Sequence, residues 1–163
     1  MKEPQKKYIS VDMAHKQLES FCAYQERSHK EVEEKLNKLG IIKEAQEQII
    51  ISLIQDNYLN EQRFAEAFVR GKFRIKKWGR HKIKQALVKH DLSSYSLRKA
   101  FEQISSEEYE ETLRSLAESK LRTLENKGNS SPKVNKQKLI QHLSYKGYEN
   151  DLIYPLVNQL IPW

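Results

Sequence analysis

Five positions recur three times in this chain with the same internal spacing, and that repetition restricts the possible folds more than any other feature. Val32, Leu36, Gly40, Ile41 and Leu53 form the first set. Ile83, Leu87, Asp91, Leu92 and Ile104 form the second, and Leu139, Leu143, Gly147, Tyr148 and Leu160 the third. Each set steps by four, four, one and twelve residues. Steps of four keep side chains on one helical face, and glycine or aspartate can take the left-handed conformation that ends a helix. One structural unit used three times fits this pattern. Units this small bury little alone, so packing between neighbours should add stability.

Each unit reads as three helices. In the first, Val11, Ala14, Leu18, Phe21 and Cys22 mark an amphipathic helix. A second helix opens at Ser28, where Glu31 completes a capping box, and stops at Gly40; a third carries Ile49, Ile50 and Leu53. The second unit begins near Asn60, a good N-cap, with Phe64, Ala65, Phe68, Val69 and Phe73 on a long helix that Trp78-Gly79 interrupts. Helices with Ile83 and Leu87, then with Leu97, Phe101 and Ile104, complete it. The third opens at Ser105 or Ser106, with Ser105 and Glu108 forming a second capping box, and continues through Leu113, Ala117 and Leu124 to the loop at 126–132. Helices near 135–146 and 150–161 follow. No alternating strand pattern persists, and no proline falls between Pro4 and Pro132. The expected fold is therefore all-α: three tandem three-helix repeats forming an elongated, curved array. Its expected parts are an N-terminal tail at 1–11, repeats at 12–57 and 58–105, and a third repeat at 106–163 with a loop at 126–134.

The net charge of +7 is concentrated in one place. From Ala67 to His90 there are nine lysines or arginines and no acid, so the remainder holds 29 − 9 = 20 basic residues against 22 acidic ones. Measured from Arg63 at 100° per residue, Arg70 lies at about −20°, Arg74 at about +20° and Lys77 at about −40°. The apolar Phe64, Phe68 and Ile75 lie at about 100–140°, on the inward side. Like charges at i and i+4 weaken a helix, as at Arg70 and Arg74, so a partner is expected to supply the anion. The candidate partner-binding residues are Arg63, Arg70, Lys72, Arg74, Lys76, Lys77, Trp78, Arg80, Lys82 and Lys84. Trp78 can stack on a base, although an aromatic at a helix junction is more often a packing residue.

Two stretches carry a family resemblance. Tyr58-Leu59-Asn60-Glu61-Gln62-Arg63-Phe64-Ala65, then a basic helix, then Trp78-Gly79-Arg80-His81-Lys82-Ile83, resembles the signature of RecX regulators. The segment Arg27 to Leu36, closed by Leu39-Gly40-Ile41, is similar to that family's first repeat. The resemblance covers roughly residues 12–160. It implies a modulator of the RecA recombinase that binds RecA–single-stranded DNA filaments along the helical groove and suppresses recombinase, ATPase and co-protease activity. The departures are three: Asp91 stands where the family usually has glycine, Asn60 stands where an aspartate is common, and the loop from Asn126 to Pro132 sets the third repeat's part in binding apart from the family pattern.

The residues argue against an enzyme. His15, His29, His81, His90 and His142 are scattered, with no His-Glu-x-x-His spacing, and there is no glycine-rich phosphate loop and no nucleophile elbow. Neither cofactor nor metal is expected. Cys22 alone makes no disulfide and no cysteine-based zinc site, and reads as a small buried hydrophobe. His90 shares a face with Ile83 and Leu87 and reads as helix-end packing. The opening Met1 to Lys7 is no signal peptide, and Ile49-Ile50-Ile51 is too short to cross a bilayer, so a cytoplasmic monomer without membrane contact is expected. The alternatives are a direct DNA-binding protein, on single-stranded or duplex DNA, and a helical adaptor for another acidic protein.

Overall fold

The computed structural model describes residues 8–128 and 130–162, and all regular structure among them is helical. The first triplet is α1 (Val11–Tyr24), α2 (His29–Lys38) and α3 (Lys43–Gln55). The second is α4 (Glu61–Arg74), α5 (Arg80–Leu87) and α6 (Ser94–Phe101), with a single 3-10 turn at Val88–His90 after α5. The third is α7 (Ser106–Asn126), α8 (Pro132–Lys146) and α9 (Asn150–Leu160). Most of the expected tail, residues 1–7, lies outside the described residues, as do Asn129 of the expected loop and Trp163.

Helix starts follow the expected chemistry. Ser28 accepts a hydrogen bond from the Glu31 N–H while the Glu31 carboxylate accepts from the Ser28 N–H, a complete capping box. Asn60 caps α4 through the Arg63 N–H. At α7 only half of the expected box forms: Ser105 caps the Glu108 N–H, but the Glu108 carboxylate reaches across to Arg74. Helix α8 starts at Pro132, earlier than the expected 135, because Ser131 caps it and proline suits the first helical position. The three repeat-equivalent stop positions, Gly40, Asp91 and Gly147, all take positive φ, at 72°, 51° and 97°.

The apolar side chains form two cores. One lies within the first triplet and is built from Ala14, Leu18, Val32, Leu36, Ile49 and Leu53, joined by Leu59. The other spans the second and third triplets, where Phe73, Ile83 and Leu87 pack in one cluster with Tyr109, Leu139, Leu143 and Ile153. Leu59 and the partly buried Tyr58, read in sequence as the start of the second unit, pack in the first core. Ile75, expected on the inward face, is instead 78% exposed, because α4 ends at Arg74 and the chain turns away. Cys22 is buried as expected, and burial pushes its thiol up to about 11. Among the described residues no helix is long and apolar enough to cross a membrane, and no cluster of three or more His, Cys, Asp or Glu could hold a metal ion.

Candidate functional site

The candidate surface is set by the turn between α4 and α5. Lys77 takes positive φ, 58°, and its N–H donates to the Phe73 carbonyl while the Trp78 N–H donates to that of Lys72. These bonds satisfy the carbonyl end of α4, where Lys72 and Arg74 also complement the helix dipole. From the third triplet, the Tyr148 hydroxyl donates to the Lys77 carbonyl at 3.0 Å. Trp78 is half-buried against the shared core, the packing role expected of an aromatic at a helix junction.

Gly79 and Gly147 hold this turn against the end of α8. The Gly79 N–H donates to the Lys146 carbonyl at 2.8 Å, and the His81 N–H to that of Gly147 at 3.0 Å. A Cβ on Gly79 would sit 2.4 Å from the Gly147 backbone, and one on Gly147 would sit 2.4 Å from the Lys82 Cβ. Only glycine lets the two backbone segments approach this closely. Beside them Arg80 lies over the Tyr109 ring, 3.7 Å from its centroid, and pairs with Glu149 at 3.1 Å. The Tyr109 hydroxyl accepts from the Arg80 N–H at 3.0 Å and donates to Glu149 at 2.5 Å. Burial alone would raise the Glu149 carboxyl, but the hydrogen bonds from Tyr109 and Arg80 outweigh it and hold the group below the usual range. The same burial and hydrogen bond push the Tyr109 phenol well above its usual range.

This geometry corrects the expected cationic stripe. Arg63 pairs with Glu26 at 3.0 Å and donates to the side chain and carbonyl of Asn57 at 2.7 and 2.8 Å. Arg74 pairs with Glu108 at 3.1 Å, and Arg80 with Glu149. These three arginines therefore meet acids of their own chain, against the expectation that an external partner supplies every anion. A search of neighbouring sequence could not find those acids, because they lie 34 to 69 residues away. Arg70 donates to the neutral Gln103 at 2.9 Å. Lys72, Lys76, Lys77, Lys82 and Lys84 form no ion pair among the described residues, so the unneutralised charge is mostly lysine. Several of these lysines lie against aromatic rings. Lys72 Nζ is 5.4 Å from the Phe68 centroid and 4.9 Å from that of Trp78. Lys82 Nζ is 4.8 Å from Trp78 and 4.0 Å from Tyr145, and Lys84 lies over Phe101.

Tyr145 and Lys146 are the residues that sequence reasoning missed. The net deficit of basic residues outside 67–90 hides a second acid-free stretch, 127–148, with five lysines. A scan for acid-free runs, instead of for net charge, would have found it.

His90 sits at the other joint, between the first two triplets. It is buried, with Nδ1 2.7 Å from Ser28 Oγ and its ring against Phe64 and Phe68. Packing at a helix end was the expected role, and the packing reaches across to the first triplet.

Comparison with known proteins follows the same boundaries. A model of the second three-helix domain of RecX matches residues 60–100, and one of the third matches 107–157. A regulatory protein RecX of Clostridium perfringens is 32% identical over 134 residues, covering 82% of this chain and 62% of its own length. One from Lactobacillus johnsonii is 32% identical over 141 residues, covering 86% of this chain and 51% of its own length. The chain thus spans between half and two thirds of the length of these relatives. The crystal structure of RecX from Lactobacillus salivarius superimposes with a TM-score of 0.81 at 26% identity, over 92% of this chain and 96% of that one. With both domain models matched in order on the helices that build the turn, and a solved relative following the same course, the chain belongs to the RecX family.

Proposed function

We propose that this chain is a cytoplasmic, monomeric regulator that binds RecA–single-stranded DNA filaments and modulates, mainly by inhibition, RecA recombinase, ATPase and co-protease activity. The observation that carries the reading is the group Arg70, Lys72, Lys76, Lys77, Lys82 and Lys84, cations to which no acid of the chain is paired among the described residues. A filament of protein and nucleic acid presents a repeating negative surface, and unneutralised cations on a rigid turn suit such a partner. Relatives named as regulatory proteins support a regulatory role over a catalytic one.

Sedimentation with RecA filaments, with bare single-stranded DNA and with duplex DNA at physiological salt tests the proposal. Retention by filaments is expected, with loss of retention and of ATPase inhibition in the Arg70→Glu/Lys77→Glu/Lys82→Glu variant. Undiminished inhibition by that variant sinks the assignment of the site. Equal retention by bare duplex favours the direct DNA-binding alternative.

A further inference from the structure

The two acid-free stretches, 67–90 and 127–148, are far apart in sequence but adjacent in the fold. The backbone bonds from Gly79 and His81 to Lys146 and Gly147 seat the end of α8 on the start of α5. Lys146 Nζ donates to the Lys76 carbonyl at 3.4 Å, and Lys82 Nζ lies 4.0 Å from the Tyr145 centroid. Cations and aromatics alternate across this seam: Phe68, Lys72, Trp78, Lys82, Tyr145. Beyond Tyr145 the series runs into a cleft between α7 and α8, lined by Lys120, Leu124, Lys138, Gln141 and His142. Neither Lys120 nor Lys138 forms an ion pair among the described residues; Lys138 donates to Ser130 Oγ at 3.3 Å. Tyr145 is 73% exposed, large for an aromatic that contributes nothing to the core.

We infer that α8 completes a binding surface for single-stranded nucleic acid, running from the α4–α5 turn into the α7–α8 cleft. In it Tyr145 stacks on a base, and Lys82, Lys120 and Lys138 meet phosphates. This deepens the proposed filament-binding role and rests on it for the α4–α5 half. Lysines alone would serve an acidic protein equally well. The exposed ring of Tyr145, set among lysines at the end of a series whose Phe68 and Trp78 are half-buried, favours an unpaired strand, because its bases offer faces for stacking and its backbone offers charge at regular intervals. The Gly79–Gly147 contact is the positioning element, since it fixes Tyr145 relative to Trp78 before any strand arrives. His142 responds to the same field: burial lowers its pKa, and Lys120 and Lys146 lower it further.

The test is fluorescence anisotropy of a labelled oligothymidylate with the full chain. Tyr145→Ala should weaken binding about tenfold, the scale of one lost base–aromatic stack, and Tyr145→Phe should restore it. Lys120→Glu/Lys138→Glu should flatten the log–log salt dependence by about one to two, since each lost phosphate contact removes about 0.7. NMR titration of His142 should show its pKa rising when the strand is bound. These side chains are exposed or half-buried, so helicity by circular dichroism should stay unchanged in each variant. If Lys72→Glu/Lys82→Glu abolishes filament and strand binding while all α8 variants bind as the parent does, the inference falls and the proposed function stands. If RecA filaments are not retained at all but strand binding depends on Tyr145, the function falls and this surface stands. Poly-glutamate competing as strongly as the oligonucleotide overturns the assignment to nucleic acid.

Discussion

The joint between the second and third triplets and the joint between the first and second are built from different materials. The former is backbone against backbone: the Gly79 N–H donates to the Lys146 carbonyl and the His81 N–H to that of Gly147, the two glycines meet at van der Waals limits, and a continuous apolar core lies beneath. The latter is side chain against side chain: Arg63 on Glu26, His90 on Ser28, with the two cores kept separate. A backbone joint over a shared core has little freedom, whereas a polar side-chain joint can open without disrupting either core. The second and third triplets are thus expected to act as one body that carries the cations, and the first as a unit able to open separately. Binding should depend on the rigid joint, and adaptation to a partner's shape on the polar one.

The largest expected effect comes from the rigid joint. Gly79→Ala places a methyl where the Gly147 backbone already stands, and should cost roughly 3 kcal/mol or more, read as a lower urea midpoint for the second and third triplets. If Gly79→Ala unfolds with the parent's midpoint, the two joints are alike in kind and the contrast is lost. Tyr109→Phe is next. It keeps the ring between Phe73 and Tyr148 but removes the hydroxyl that serves the Arg80 N–H and Glu149, and should cost about 1–3 kcal/mol. Its loss should also raise the Glu149 pKa, because the Tyr109 hydrogen bond is what helps to hold it down. Arg63→Gln should cost about 1 kcal/mol, since the Arg63–Glu26 pair is part-exposed and screened. That loss should appear as faster amide exchange in α1 to α3 alone; equal acceleration in α7 to α9 would mean the three triplets open together.

The contrast between joints also marks what the sequence could reveal. Repeat spacing disclosed the helices and their stop positions, down to Asp91 in the left-handed region, because caps and amphipathic faces are local properties. It set the break of the long helix too late: α4 ends at Arg74, and Lys77, read on the helical stripe, lies in the turn with positive φ, while Trp78 packs as an aromatic at a helix junction commonly does. It could not show that Arg63, Arg74 and Arg80 meet acids of their own chain, since those pairs join residues on different helices. For the same reason Gly79 read as a break in a helix, when its larger role is to admit Gly147. The meeting of Lys82 with Tyr145 is a property of how triplets stack, which no period within a triplet encodes.

The smallest expected effect is a pH dependence confined to the polar joint. Burial lowers the His90 pKa below its ordinary 6.5 and outweighs the nearby Glu31, which raises it; Lys89 lowers it further and Glu34 opposes that. The folded ring is therefore neutral when the unfolded one begins to take up a proton. Between the folded pKa and 6.5 the unfolded state binds more protons, so stability falls as pH drops through that window. The loss should be local, because His90 touches Ser28, Phe64 and Phe68, at the point where α2 meets the second triplet. Amide exchange in α2 should accelerate on acidification through this range while α8 stays protected. His90→Gln keeps a polar contact for Ser28 without a titrating ring, and should remove the dependence. An undiminished pH response in that variant would place the proton elsewhere and leave the first joint no more labile than the second.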